Sequence, residues 1–145
     1  MKLNFWNKPR SLYFAYGANM SKESMKARCP KAEAIKPYYL LGWRLMFSHH
    51  ATIVPDAGGC VPGVLWNITE ECEKNLDRFE GYPEYYTKIW LSQHGRSFMA
   101  YEMNPPLNPR YTPHDSYVNL LKQGYLDWEL EQKYLQEALH YYDYD

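Results

Sequence analysis

The chain has 145 residues, 46% of them hydrophobic, and a formal net charge of −1. That size fits one domain with a core of its own. The scattered basic residues give no electrostatic grip on nucleic acid, and no apolar run reaches membrane-spanning length.

Residues 1–10 (MKLNFWNKPR) lack the apolar stretch of a signal peptide and read as an N-terminal extension. Residues 11–16 (SLYFAY) form a short apolar run that stops at Gly17, which predicts a buried strand ending in a tight turn. Ser21 is placed to cap a short helix that closes at Cys29-Pro30. Residues 32–47 look extended, with a turn near Gly42. Residues 51–54 predict a short strand stopped by a loop at 55–59 (PDAGG). A further strand follows over 61–68, where Gly63 signals a bulge or a close backbone approach.

Thr69 caps the next helix, with Glu70 and Glu71 in its first turn and Cys72, Leu76 and Phe79 on its apolar side. Gly81 stands where a left-handed cap residue belongs. Residues 86–92 and 97–103 pair as a hairpin across His94-Gly95-Arg96. After a Pro-rich stretch at 105–113, two helices are expected, broken near Gly124. The second carries Trp128, Leu135, Ala138 and Leu139 at helical spacing. Residues 141–145 read as a frayed tail or a small contact surface. The plan is α+β, one domain over 1–145, with a mostly antiparallel curved sheet and helices at its edge and end. Fifteen tyrosines and five tryptophans favour an aromatic-lined cavity.

Cys29, Cys60 and Cys72 make an odd number with no CxxC and no zinc spacing, so a reduced, cytoplasmic protein is expected. His49 and His50 suggest a metal or acid–base pair, but as neighbours on an extended segment they would point to opposite faces, which predicts no shared metal and a plain structural role.

Two segments carry candidate chemistry. The turn Tyr16-Gly17-Ala18-Asn19-Met20 joins a strand to a helix, and its successive N–H groups can cradle an anion. A plain connection is the alternative reading. Glu80 ends its helix, where the negative dipole disfavours a carboxylate. Phe79, Tyr82, Tyr85 and Tyr86 can wall it from water. Both effects raise its pKa, as proton uptake and return near neutrality require. The alternative is a solvated surface Glu. Asp77, one turn earlier, reads as structural, paired with Arg78 or a backbone group. The weak basic cluster over 22–36, which includes Arg28, reads as a solvated helix face.

In order, these segments resemble the γ-glutamylcyclotransferases and their AIG2-like relatives. Residues 13–20 (YFAYGANM) are similar to the family's YFAYGSN[LM] signature. Further matches are Arg28-Cys29-Pro30, residues 42–47 (GWRLMF), 51–55 (ATIVP) and 61–66 (VPGVLW). Residues 76–81 (LDRFEG) resemble the segment holding the family's catalytic glutamate, and Tyr117, Leu121, Gly124 and Tyr134 fit its last helices.

The resemblance implies a small mixed β-barrel flanked by helices with a cavity at one end. It implies that a γ-glutamyl amino acid or amine cyclises to 5-oxoproline and releases the attached amine, without a cofactor. Glu80 would be the general base and acid. Tyr16, Gly17, Ala18, Asn19 and Met20 would hold substrate, with Tyr101 in support. The expected partner is the small molecule alone, and the protein a monomer or homodimer. Ala18 departs from the family's Ser, which leaves open a member that binds a metabolite without turning it over.

Overall fold

The structure, a computed structural model, describes residues 11–142. The expected N-terminal extension (1–10) and residues 143–145 of the expected tail lie outside the described residues.

The sheet is built around β1 (Ser11–Ala15). Phe14 and Ala15 are buried on its two faces, so this strand needs neighbours on both edges. It pairs antiparallel with β3 (His50–Ile68), matching Tyr13 to Trp66, and parallel with β5 (Arg96–Met103), matching Tyr13 to Met99. β2 (Glu33–Ser48) flanks β3 and β4 (Tyr86–Gln93) flanks β5, giving the order β2-β3-β1-β5-β4.

β2 and β4 do not share a backbone ladder, so the expected barrel is an open, mixed sheet. A side chain partly bridges the gap. The Leu41 N–H donates to Gln93 Oε1 at 3.1 Å, and Gln93 Nε2 donates back to the Leu41 carbonyl at 2.6 Å.

The expected loop at 55–59 lies inside β3, which turns back from β2 at His49 (φ 67°) and continues to Ile68. Trp43 faces Pro55 and Leu41 faces Cys60, so Gly42 alone opposes residues 56–59 where the ladder shifts register. Proline is tolerated here because β1 pairs only with residues 64–68, which leaves the other edge of β3 free of it. Gly59 is required by space: a Cβ there would lie 2.3 Å from the Trp43 carbonyl oxygen. Gly63 marks the expected close approach, since a Cβ would lie 2.5 Å from the Ala15 oxygen.

α1 (Lys22–Arg28) starts at Ser21, whose Oγ accepts from the Ser24 N–H. α2 (Glu70–Glu80) starts at Thr69 and ends at Gly81, which is left-handed at φ 66°. α3 (Asp115–Asp127) runs through Gly124 instead of breaking there. Gly124 is the contact point with Met20, whose Cβ would stand 3.2 Å from an added Cβ. The break comes later, around Glu129 (φ 54°), before α4 (Lys133–Leu139). Leu121, Tyr125, Leu135 and Leu139 bury this helical layer against the sheet. Beyond it, Tyr142 donates to the Phe47 carbonyl at 2.7 Å.

Cys29 and Cys72 form a disulfide across Cα atoms 4.9 Å apart, contrary to the expected free thiols. The pairing joins the cap of α1 to the first turn of α2, a tertiary contact across 43 residues that spacing alone does not reveal. The argument from unpaired thiols to a reducing compartment loses its basis. Among the described residues, no helix is long and apolar enough to cross a membrane.

Candidate active site

β1 ends at Ala15, and Tyr16 and Gly17 lead into a 3-10 turn over Ala18–Met20. The Met20 N–H closes this turn on the Gly17 carbonyl at 3.1 Å, and the Ser21 N–H closes on Ala18 at 3.2 Å. A cavity of about 180 Å³ opens at the turn. Tyr16, Gly17, Ala18 and Asn19 line it from one side, and Glu80 and Phe79 from the end of α2. Tyr101, His50, Tyr85, Tyr86 and Tyr117 complete much of the wall.

Met20 does not line it. Its side chain is fully buried, and its carbonyl accepts from Trp128 Nε1 at 2.7 Å. Met20 anchors the turn from behind; of residues 16–20, its side chain is the one turned away from the cavity.

Asn19 ties the turn to the carboxylate. Buried to 2% exposure, it donates from Nδ2 to Tyr13 Oη at 3.2 Å and lies 3.5 Å from Glu80 Oε1. Its Oδ1 accepts from Arg28 Nη1 at 3.0 Å. Arg28 is therefore not part of a solvated face: its guanidinium lies 3.5 Å from the Phe79 ring centre. No local sequence signal showed this, because an arginine ending a short helix ordinarily faces water.

Burial pushes the Glu80 carboxyl up to about 7, and the Arg28 charge works against that rise. Near neutrality both protonation states are populated. The tyrosines around it move further from ionisation. Burial, then the Glu80 charge, raises Tyr13 and Tyr16. Burial also raises Tyr117 and Tyr86. Their hydroxyls remain protonated: Tyr16 and Tyr86 donate to the Tyr101 and Ala51 carbonyls, whereas Tyr13 and Tyr117 accept from Asn19 Nδ2 and the Ala51 N–H, bonds that leave their own protons unused.

Tyr101 supports the wall. Its hydroxyl donates to Asp77 at 2.6 Å, and its carbonyl accepts from Tyr16 Oη at 2.5 Å. Asp77 is structural, as expected, but its partners are Tyr101 and Lys88 (3.1 Å), not Arg78. Arg78 hydrogen-bonds Asn75 instead.

The two histidines part company. His49 stacks on Tyr111, with ring centres 4.5 Å apart. His50 lines the cavity, its Nδ1 2.8 Å from Tyr85 Oη, and burial and then His49 lower its pKa. Sequence reasoning weighed the pair as metal ligands or an acid–base pair and set both readings aside, so it missed this placement. Among the described residues, no cluster of three His, Cys, Asp or Glu side chains is placed to hold a metal.

Fold and site together define a class: small α+β proteins in which a strand–turn–helix loop faces a near-neutral glutamate across a tyrosine-walled cavity. The chain belongs to the gamma-glutamyl cyclotransferase, AIG2-like family, whose model matches residues 13–125.

Solved structures resemble it at the level of the whole fold. A gamma-glutamyl cyclotransferase is 25% identical with a TM-score of 0.77, over 90% of this chain and 86% of its own. The uncharacterized human protein loc79017 gives 25% and 0.77, over 89% and 86%. YkqA from Bacillus subtilis shares the fold at 18% identity and a TM-score of 0.74, over 96% of this chain and 56% of its own. The sequence matches no curated protein.

Proposed function

We propose that the protein is a cyclotransferase that converts a γ-glutamyl amino acid or γ-glutamyl amine to 5-oxoproline and a free amine. The observation that carries this reading is the position of Glu80: it lines the same cavity as the 17–19 turn, 3.5 Å from Asn19. Family membership supports the same chemistry.

In the proposed reaction the turn receives the substrate's α-carboxylate. The first N–H groups of such a turn have no partner within it, and the Tyr13 and Tyr117 hydroxyls, which accept in their own hydrogen bonds, add neutral donors. The cavity holds the substrate folded, with its α-nitrogen against its own γ-carbonyl carbon. Such an intramolecular attack, once well oriented, reaches effective molarities of roughly 10⁵ M or more.

Glu80 as carboxylate takes a proton from the α-ammonium and frees the nitrogen lone pair. That nitrogen bonds to the γ-carbon. The γ-carbon–nitrogen bond to the leaving amine then breaks as protonated Glu80 returns the proton to the departing nitrogen. The second proton on the ring nitrogen leaves to solvent. No redox change occurs and no cofactor takes part.

A second reading, a protein that binds such a metabolite without turnover, draws on Ala18, which lines the cavity where the family's serine hydroxyl would stand. One assay separates them. The protein is incubated with a panel of γ-glutamyl dipeptides and γ-glutamyl amines, and 5-oxoproline is measured. The expected result is product from at least one compound, lost by about 100-fold or more in Glu80→Gln with ligand binding retained. Binding without product favours the second reading. Turnover unchanged in Glu80→Gln sinks the assignment of Glu80.

A further inference from the structure

We propose that Arg28 is a positioning residue for Glu80: it fixes the orientation of the Asn19 amide and brings to the carboxylate the positive charge that lets it ionise inside the cavity. The proposal rests on the cyclotransferase reading for its kinetic consequence, but not for its structural one.

The orientation follows from donor and acceptor types. An asparagine amide can turn either end toward a neighbour. Arginine carries only donors, so Arg28 Nη1 at 3.0 Å selects the oxygen end of Asn19. The Nδ2 end is left for Tyr13 Oη and for Glu80. An ionised carboxylate only accepts, so this orientation suits its charged form. Turned the other way, the amide would set Oδ1 against the carboxylate and favour the protonated form.

The positive charge has few possible sources. The titratable groups that act on Glu80 or line its cavity from the packed elements are Tyr13 from β1 and Tyr16 just after it, His50 from β3, Tyr85 and Tyr86 before and on β4, Tyr101 from β5, and Tyr117 from α3. The tyrosines are held neutral, and His50 is lowered away from its charged form. Lys88 is engaged by Glu73 and Asp77. Among the described groups facing Glu80, Arg28 is left as the full positive charge. No direct ion pair joins the two among the described residues, so the charge acts across Asn19.

Arg28 is itself held to the helix that carries Glu80. Its guanidinium stacks on Phe79, its carbonyl accepts from Asn75 Nδ2 at 2.9 Å, and the next residue, Cys29, is bridged to Cys72. α1 and α2 are thus fixed to one another on both sides of this arginine, which suits a residue whose effect depends on distance.

The test is a side-chain carboxyl titration of Glu80 by carbon NMR in the ligand-free protein, for wild type, Arg28→Gln, Arg28→Met and Arg28→Lys. Gln keeps a donor for Asn19 Oδ1 and removes the charge. Met keeps an apolar cover for Phe79 and removes both. Lys keeps the charge. The expected result is a Glu80 midpoint about one pH unit higher in Gln, higher again in Met, and close to wild type in Lys. In the kinetic arm, 5-oxoproline release by Gln and Met falls about tenfold near pH 6 and recovers by pH 9.

An unchanged midpoint in folded Arg28→Gln overturns the proposal. If Met does not fold, the Gln and Lys pair still decides it. Failure of every panel compound removes the cyclotransferase reading alone, since the titration needs no substrate.

Discussion

A carboxylate in the last turn of a helix faces the negative end of the dipole, and Glu80 adds burial to that disadvantage. The folded carboxyl titrates near 7 against an ordinary value of 4.5. Between those pH values the folded state binds the proton that the unfolded state has released. Stability contributed by the protonated carboxyl is therefore lost as pH rises through the window. Glu80→Gln keeps the shape and removes the titration. Its melting temperature is expected to rise relative to wild type at pH 8, by the equivalent of about 3 kcal/mol, while near pH 4 the two proteins melt together. The same substitution that is expected to remove the proposed turnover should stabilise the fold, as expected where a site holds a group in an unfavourable environment for its chemistry. Equal melting differences at pH 4 and pH 8 would mean that Glu80 is hydrated in the folded protein.

Elements that announce themselves through local chemistry were legible in the sequence. The Ser21 and Thr69 caps, the left-handed Gly81 and the His94-Gly95 turn each satisfy a nearby backbone need, so a few residues suffice to read them. The segment 55–59 carries the same kind of local signal, yet the pairing of β2 with β3 carries the chain through it, and only the free edge of β3 makes its proline tolerable. Gly124 was misread for a similar reason: its role is set by Met20, far away in the chain. Within the site, Glu80 and the turn were legible because each breaks or obeys a local rule. Arg28, His50 and the Cys29–Cys72 bridge were not, since their partners come from other elements. The bridge makes a testable demand on the α1–α2 pair. Closing a 43-residue separation restricts the unfolded chain by about 4 kcal/mol in the chain-entropy account. Reduction, or Cys29→Ser with Cys72→Ser, is expected to lower the melting temperature accordingly. A melt insensitive to reductant, with both thiols free to alkylation in the unfolded protein before reduction, would show that the two helices meet without the bond.

At the scale of the whole molecule, the site is assembled from both ends of the chain. The turn that lines the cavity comes directly after the first strand, while Trp128 and Gly124, which fix its far side, lie in and just beyond α3. Trp128 is held on Trp66, ring centres 6.1 Å apart, and under Lys22 at 4.6 Å, so its indole N–H is aimed at the Met20 carbonyl by packing from the sheet and from α1 together. Trp128→Phe retains an aromatic ring for that packing and removes the donor. The Met20 carbonyl then loses its partner, at a cost of about 1 kcal/mol. Because Met20 closes the turn on Gly17, loosening it acts first on the cradle, while Tyr13 and Arg28 still hold the Asn19 amide that meets Glu80. A change confined to the cradle weakens binding of the ground state and transition state alike, so KM is expected to rise several-fold with kcat nearly unchanged. Steady-state kinetics of 5-oxoproline release, with a thermal melt alongside, checks both parts. A fall in kcat at constant KM would place the effect at the carboxylate, and the helical layer would then act on α2 and not on the turn.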